Sequence, residues 1–575
     1  MTSDSPSKII DAQNSTVATG DHHSLAFFKD SIHTIKLSAL RFFSGTAISR
    51  VTGMFRDMAL AWAFGTHEAL AALFVAFRFS QVLRRIFGEG ALSGAFIPVF
   101  EDLRKDSHER AFRFYRDLST IITVFLTGFV IVSMIVLGLS LHYFPWSEKN
   151  YFIVMLLIIF MPSLIPICLY GVNSALLQCQ KHYFTPAFAP TFFNLVILLG
   201  AWLLSSHQPQ KAMPFLAIAM VLACGAQWLA TLPASLKQLR AALKGKFFNS
   251  ISLFSTDIRR FLGPLSLGLL GVGASQINNL VDTIFARIAD LEGPALLQYG
   301  IRLTQLPLAL FGIALSGALL PPLARSIQAG KKAEYLHFLD FAMRKVTAFL
   351  LPCSIILLTF GSHIVNLIFG RGCFTTSSVF MTTGCLHSYA IGLLPMGLII
   401  VLAPACYAHK DFRTPTIGAI LSLSTNLILD SFFVYVLHMG ALSVALATSI
   451  SAWINVFYIY HKLKARSGQV LSKEGKEQFG KVLLSSGAAG VFTWFLQTSY
   501  GTPALFFNFI QSSEIPNLFL DQVKAFSFSF TIYAVLLVTF AWLIKAQDFH
   551  SLAQKPEIAD DEELAKGTAK IPAES

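Results

Sequence analysis

The stretch Ile48–Phe100, ISRVTGMFRDMALAWAFGTHEALAALFVAFRFSQVLRRIFGEGALSGAFIPVF, decides how the chain is to be read. It is apolar enough to lie in a bilayer, yet it carries Arg50, Arg56, Asp57, Arg78, Arg84, Arg85 and Glu89. A charged side chain at the centre of a membrane helix costs roughly 2.5–3.5 kcal/mol on insertion scales, so this many need a cavity, water or a charged ligand to answer them. On a helix, Arg50, Gly53 and Asp57 share a face, whereas Arg56 points about a third of a turn away. Both arginines serve one site only if the helix opens near Gly53. A second stripe holds Arg78, Gln81, Arg85 and Glu89, in which Arg85 and Glu89 can pair one turn apart. Arg84 lies off that stripe beside Gly88, with no acid three or four positions away, which makes it a better ligand candidate than Arg85. The structural alternative is that these arginines snorkel to the membrane surface.

Composition sets the class. The chain has 575 residues, 54% hydrophobic and 13% charged, with a mean hydropathy of +0.60, too apolar for a soluble core of this size. An all-α, polytopic membrane protein is expected. The formal charge of +12 raises nucleic acid as a partner, but the basic residues sit in short loops between apolar spans and report orientation instead. The seven cysteines form no CxxC pair and show no metal spacing, and no Walker-type glycine loop or HExxH motif is present. No catalytic residue or covalent chemistry is implied.

Apolar spans of about 20 residues follow one another from residue 38 to residue 545, giving about fourteen transmembrane helices. Loops that fall on one side carry Arg104, Lys105, Arg110 and Arg113, then Lys237 and Arg240, Arg325 and Lys332, Lys410 and Arg413, and Lys462 to Lys473. The alternate loops are poor in Lys and Arg, which puts both termini in the cytoplasm. Residues 1–35 are polar and lack the pattern of a signal peptide, so a disordered cytoplasmic tail is expected there and again over 547–575.

The chain also repeats itself. RFSQVLRRIFGEGALSGAFIP from Arg78 aligns with RLTQLPLALFG and then IALSGALLP from Arg302, and QKHYFTP ending at Pro186 echoes HKDFRTP ending at Pro415. Two six-helix lobes follow, 36–236 and 261–462, joined by a cytoplasmic linker at 237–260 and extended by two helices in 463–546. An even number of spans per lobe makes the repeats parallel, about an axis along the membrane normal. The lobes differ in sign. Arg50, Arg56 and Arg84 of the first, with Arg302 of the second, can converge on the cleft between them, and guanidinium forks suit a diphosphate. The second lobe instead buries Asp282, Asn426 and Asp430, a hard-oxygen set suited to a small cation; the alternative is that Asp282 pairs with Arg287 or faces water.

The run S-R-V-x-G-x-x-R-D, then F-V-A-F-R and L-R-R-I-F-x-E-G-A-x-S-x-A-F-x-P, resembles the MurJ (MviN) family, bacterial flippases of the lipid-linked peptidoglycan precursor within the MOP exporter superfamily. YGIRLTQLP at Tyr299–Pro307 and ALSGALLPPL at Ala314–Leu323 extend the match. The resemblance implies a substrate site that includes Arg50, Arg56, Arg84 and Arg302, with Asp57, Arg85 and Glu89 beside it. It also implies a sodium site in which Val444, by its carbonyl, and Thr448 complete Asp282, Asn426 and Asp430. Lipid II as substrate, membrane lipids and the cell-wall synthesis machinery as partners, and a bacterial inner-membrane location are implied with it. One departure is Ala71, where the family often has an acid, so that role is absent or falls to Glu68. Related readings are an exporter of another lipid-linked oligosaccharide, a cation-coupled drug exporter, or a membrane scaffold that would tolerate loss of Arg50 and Arg84.

Overall fold

The computed structural model describes residues 32–87, 91–243, 255–309, 323–499, 519–546 and 548. The described residues are helical, with turns between helices and no strand. The expectations for residues 1–31, Glu89, the middle of the 237–260 linker, Ala314–Pro322 and the tail beyond 548 lie outside them.

The first lobe contains α1 (Ile32–Phe64), α2 (Glu68–Phe87), α3 (Ala91–Asp106), α4 (His108–Tyr143), α5 (Glu148–Phe160), α6 (Leu164–Cys179), α7 (Phe184–Phe188), α8 (Pro190–Leu204) and α9 (Pro209–Leu243). The second contains α10 (Thr256–Ala289), α11 (Gly293–Pro307), α12 (Lys332–Phe369), α13 (Thr376–Ala408), α14 (Arg413–Ser431) and α15 (Leu442–Ser467), followed by α16 (Lys473–Ser499) and α17 (Phe519–Leu543). The stretch from residue 38 to residue 545 is helical over most of its described part, and these helices are consistent with about fourteen spans. Among the described residues nine helices are long and apolar enough to cross a membrane by composition alone. The helices outside that set include α1, α2 and α10, where most of the charged candidate residues sit; Asp430, on α14, lies inside it.

Local chemistry sets several boundaries. Ser107, Ser255 and Thr375 accept hydrogen bonds from the backbone N–H three residues on, at 3.4, 3.3 and 3.2 Å, and so start α4, α10 and α13. The sequence echo also recurs as geometry. Lys181 and Lys410, at matching positions of the two turns, take left-handed φ of 60° and 58°. In each turn the following N–H reaches back five residues, His182 to Leu177 O at 2.8 Å and Asp411 to Cys406 O at 3.0 Å. That is the Schellman closure of a helix, built twice.

One large apolar cluster runs through both lobes, from Leu60 and Phe160 to Leu339 and Val482. α10 is shared between them. Its first turns sit in a first-lobe cluster, with Phe261 edge-on to Phe114 at 5.9 Å, and Arg110 grips Asp257 with two bonds of 3.0 and 2.7 Å. Its last turns pack against Tyr389, Val434 and Val444 in the second lobe. The two C-terminal helices lean on α12: Tyr533 meets Phe360 edge-on, and Arg344 pairs with Asp548 at 2.6 Å.

Candidate functional site

Three charged side chains meet where α1 faces α11. Arg56 donates from Nε and Nη2 to Asp57 Oδ1 at 2.9 and 2.6 Å, and Arg302 Nε pairs with Asp57 Oδ2 at 2.7 Å. Asp57 is 3% exposed, so its carboxylate is a buried counter-ion shared by arginines from both lobes. Asn194 on α8 completes the group. Its Oδ1 accepts from Arg56 Nη1 at 3.1 Å while its Nδ2 donates to Ser49 O and Thr52 Oγ1 at 2.8 and 3.1 Å.

The expected opening of the helix at Gly53 does not occur, because α1 runs unbroken from Ile32 to Phe64. Arg56 reaches the site by folding its long side chain back over its neighbour. Gly53 serves differently: a Cβ there would stand 2.8 Å from Arg302 Nη2, so the missing side chain makes room for a guanidinium crossing from the other lobe. Arg50 is exposed and lies close enough to Arg302 for the two charges to repel.

The α2 arginines form a second group. Arg85 donates to Gln276 Oε1 on α10 at 2.9 Å, and Arg78 donates to Gln81 at 3.3 Å and to Gln298 on α11 at 3.2 Å. Arg84 is half-buried on the same helix. Ala71 is fully buried in the apolar core, and Glu68 stands at the start of α2, 3.9 Å from Lys149.

The acidic set of the second lobe also converges. Asn426 Nδ2 donates to Asp282 Oδ1 at 2.5 Å, and to Asp430 Oδ2 and Asn278 Oδ1 at 3.3 Å each. Thr448 Oγ1 lies 3.1 Å from Asp282 Oδ2 and 3.0 Å from the Val444 carbonyl, which share its one hydroxyl hydrogen, so all five candidate residues fall together. Asn426 and Asp430 are wholly buried, and among the described residues their Oδ1 atoms have no hydrogen-bond donor. Arg287 instead donates to the carbonyls of Glu68 and Leu291.

The end of the molecule where α1 meets α2 is closed by bonds between lobes. Thr66 donates to Glu292 and lies 2.8 Å from Ser378 Oγ; Cys373 N donates to Trp62 O at 2.9 Å, and Tyr299 OH to Gly65 O at 3.3 Å. The arginine group therefore sits on a seam between lobes that is sealed at one end.

A family model described as Lipid II flippase MurJ matches residues 60–520. The chain belongs to that family.

Among MurJ relatives, the probable lipid II flippase MurJ of Vibrio cholerae serotype O1 is 31% identical over 468 residues, covering 79% of this chain and 87% of its own. That of Chlamydia trachomatis serovar D is 29% identical and covers 91% and 97%. A solved structure titled lipid II flippase MurJ, inward closed conformation, superposes with a TM-score of 0.69 at 25% identity, covering 87% of this chain and 98% of that one. An inward-facing MATE transporter of the MOP superfamily matches with a TM-score of 0.56 at 13% identity, a likeness of fold alone.

Sequence reasoning missed Asn194, Gln276 and Gln298, the amides that hold Arg56, Arg85 and Arg78. The signal for Asn194 was an amide alone in the apolar run PTFFNLVILLG, since a polar group at membrane depth needs a partner.

Proposed function

We propose that this MurJ family member moves lipid II, a diphosphate-bearing lipid-linked glycopeptide, from the cytoplasmic to the outer leaflet of a bacterial inner membrane by rocking its two lobes. Both termini lie in the cytoplasm, and the bonded end around Thr66 is the outer gate. The observation that carries the reading is the Arg302–Asp57 pair between lobes, flanked by Arg56 and Arg50. Asp57 answers Arg302 and Arg56. An arriving diphosphate brings more negative charge and paired acceptors, and so competes for the same guanidinium forks. Arg302 can follow the substrate only by leaving an acid on the opposite lobe. Binding is thereby tied to the relation between lobes, as transport requires, since a ligand with equal affinity for both states shifts neither. Arg84 and Arg85 extend the cationic wall along α2. Lipid II and the surrounding lipids are the partners; no covalent step takes place.

Asp282, Asn426, Asp430, the Val444 carbonyl and Thr448 hold a sodium ion in this reading. The fit rests on the donor-free Oδ1 atoms of Asn426 and Asp430, and on an amide N–H group that bridges two carboxylates where a cation would. A half-turn of the Asn426 amide exchanges that N–H group for oxygen. Sodium there supplies positive charge that the membrane potential can move, about 2.3 kcal/mol per charge per 100 mV.

Headgroup accessibility of lipid II in proteoliposomes tests both parts, comparing wild type with Arg50→Ala and Arg302→Ala, with and without a sodium gradient. Translocation is lost in the variants and falls in wild type without the gradient. Unchanged translocation in the variants removes the arginine assignment; indifference of wild type to sodium removes the cation assignment.

A further inference from the structure

The internal repeat places Arg78 opposite Arg302, and it extends to their acids. Asp57 on α1 precedes Arg78 by 21 residues, and Asp282 on α10 precedes Arg302 by 20. Asp57 and Asp282 are therefore counterparts, as are Arg78 and Arg302. In the first of the two possible crossings, the second-lobe arginine reaches the first-lobe acid, Arg302 to Asp57 at 2.7 Å. Pseudo-symmetry calls for the reverse crossing, first-lobe Arg78 to second-lobe Asp282. The structure holds Arg78 next to that position. α2 packs along both α10 and α11, and Arg78 already bonds across the seam to Gln298 at 3.2 Å. The Arg85–Gln276 bond sets the register of α2 on α10: Arg78 lies seven residues before Arg85 and Asp282 six residues after Gln276, and Tyr389 and Asp282 both lie within electrostatic range of Arg78.

Depth makes the relation consequential. Arg78 is ten residues into α2, about 15 Å along its axis, where an uncompensated charge is costly. Asp282 carries the only acid–base charge within reach of both Arg78 and the cation set on the described part of α10, since Gln276 and Asn278 are neutral. Sodium and the Arg78 guanidinium therefore compete for one carboxylate.

We infer that Arg78 is the internal counter-charge of the cation site, the second of two pseudo-symmetric Arg–Asp latches between the lobes. The inference rests on the cation reading above and deepens it. With the site empty, Asp282 draws Arg78 and with it α2 toward the second lobe. Sodium neutralises Asp282 and releases Arg78 toward Arg85 and the cationic wall, where it adds to the charge that holds a diphosphate. Loading of one site thus alters the other through a single side chain. Arg78 is here a positioning residue: it bonds neither the ion nor the substrate in order to act.

Sodium binding to the full-length protein in detergent tests this, read as thermal stabilisation by NaCl against N-methylglucamine chloride at constant ionic strength. Arg78→Gln and Arg78→Met remove the competitor, and the sodium concentration for half-maximal stabilisation falls about tenfold, 1.4 kcal/mol. Arg78→Lys stays within about twofold of wild type, and Asp282→Asn abolishes the response. A merely structural arginine gives the opposite sign, because loosening the site weakens binding. The inference is overturned if the neutral variants bind sodium no more tightly than wild type. It is also overturned if neither folds, since a charge on which the fold depends cannot be released in each cycle. A wild type without any sodium response removes the cation reading itself, an outcome distinct from a wild type that responds and an Arg78→Gln that matches it.

Discussion

Replacing Asp57 by Asn removes the one carboxylate shared by two guanidiniums and leaves shape almost unchanged. Arg56 and Arg302 then face each other across a neutral amide, with side chains 14% and 28% exposed against 5% for the Asp57 side chain. Breaking a buried pair by removing one partner costs roughly 3–5 kcal/mol. Because both arginines retain some contact with solvent, the lower end applies, about 3 kcal/mol. Arg302→Gln costs less, about 1–2 kcal/mol, since Asp57 keeps Arg56 through two hydrogen bonds. The double variant restores the net charge of the cluster, so its loss falls short of the sum by at least about 1 kcal/mol. Equilibrium unfolding in mixed micelles, with the four proteins of the cycle side by side, measures this. Additivity within about 0.5 kcal/mol would refute the claim that Asp57 joins the lobes through Arg302.

Asn194→Ala strips Arg56 of its Nη1 acceptor and two first-lobe backbone and hydroxyl contacts, and should lower stability by about 1–2 kcal/mol in the same assay. Gly65→Ala forces a side chain into a φ of +58° and against the Cys373 carbonyl, so the closed end should open more often. The check is disulfide yield between Thr66→Cys and Ser378→Cys, whose hydroxyls now lie 2.8 Å apart, in a background lacking Cys373; yield should fall severalfold. Asp411 sits in the turn between α13 and α14, where the Thr414 backbone N–H first, then its hydroxyl and the Arg466 charge, hold the carboxyl below the ordinary range. Its folded value being the lower one, the stabilisation is full above about pH 4 and is lost as pH falls through the folded value. The melting difference between wild type and Asp411→Asn should therefore shrink on acidification from pH 6, and a constant difference would count against it.

Much of the fold was legible because a bilayer permits few solutions. An apolar run of membrane-spanning length must be helical, since its backbone has no other partners. The internal repeat was legible in ALSGA and in the two TP turns, and the paired left-handed Lys181 and Lys410 carry it into the backbone. Asn426 and Asp430 were readable beside Asp282 because polar groups four apart share a helix face, Val444 and Thr448 came from the family resemblance, and the fold brings α10, α14 and α15 together around them. The arginine site was legible in kind and not in arrangement. Side-chain reach defeated the helical-face argument at Arg56, whose guanidinium bends back over Asp57 where a hinge at Gly53 had been expected.

By itself, the amino-acid order determined the class, the spans, the two-fold repetition and which groups are too polar for lipid. Those properties follow from solvation and periodicity, which act on each segment independently of its neighbours. The partners of those groups were decided only when the lobes came together. Asp57 meets Arg302 across 245 positions of chain, and Asn426 meets Asp282 across 144. Coulomb attraction and hydrogen bonding act over a few ångströms, so such meetings are set by how helices pack and by where a glycine leaves room for a guanidinium.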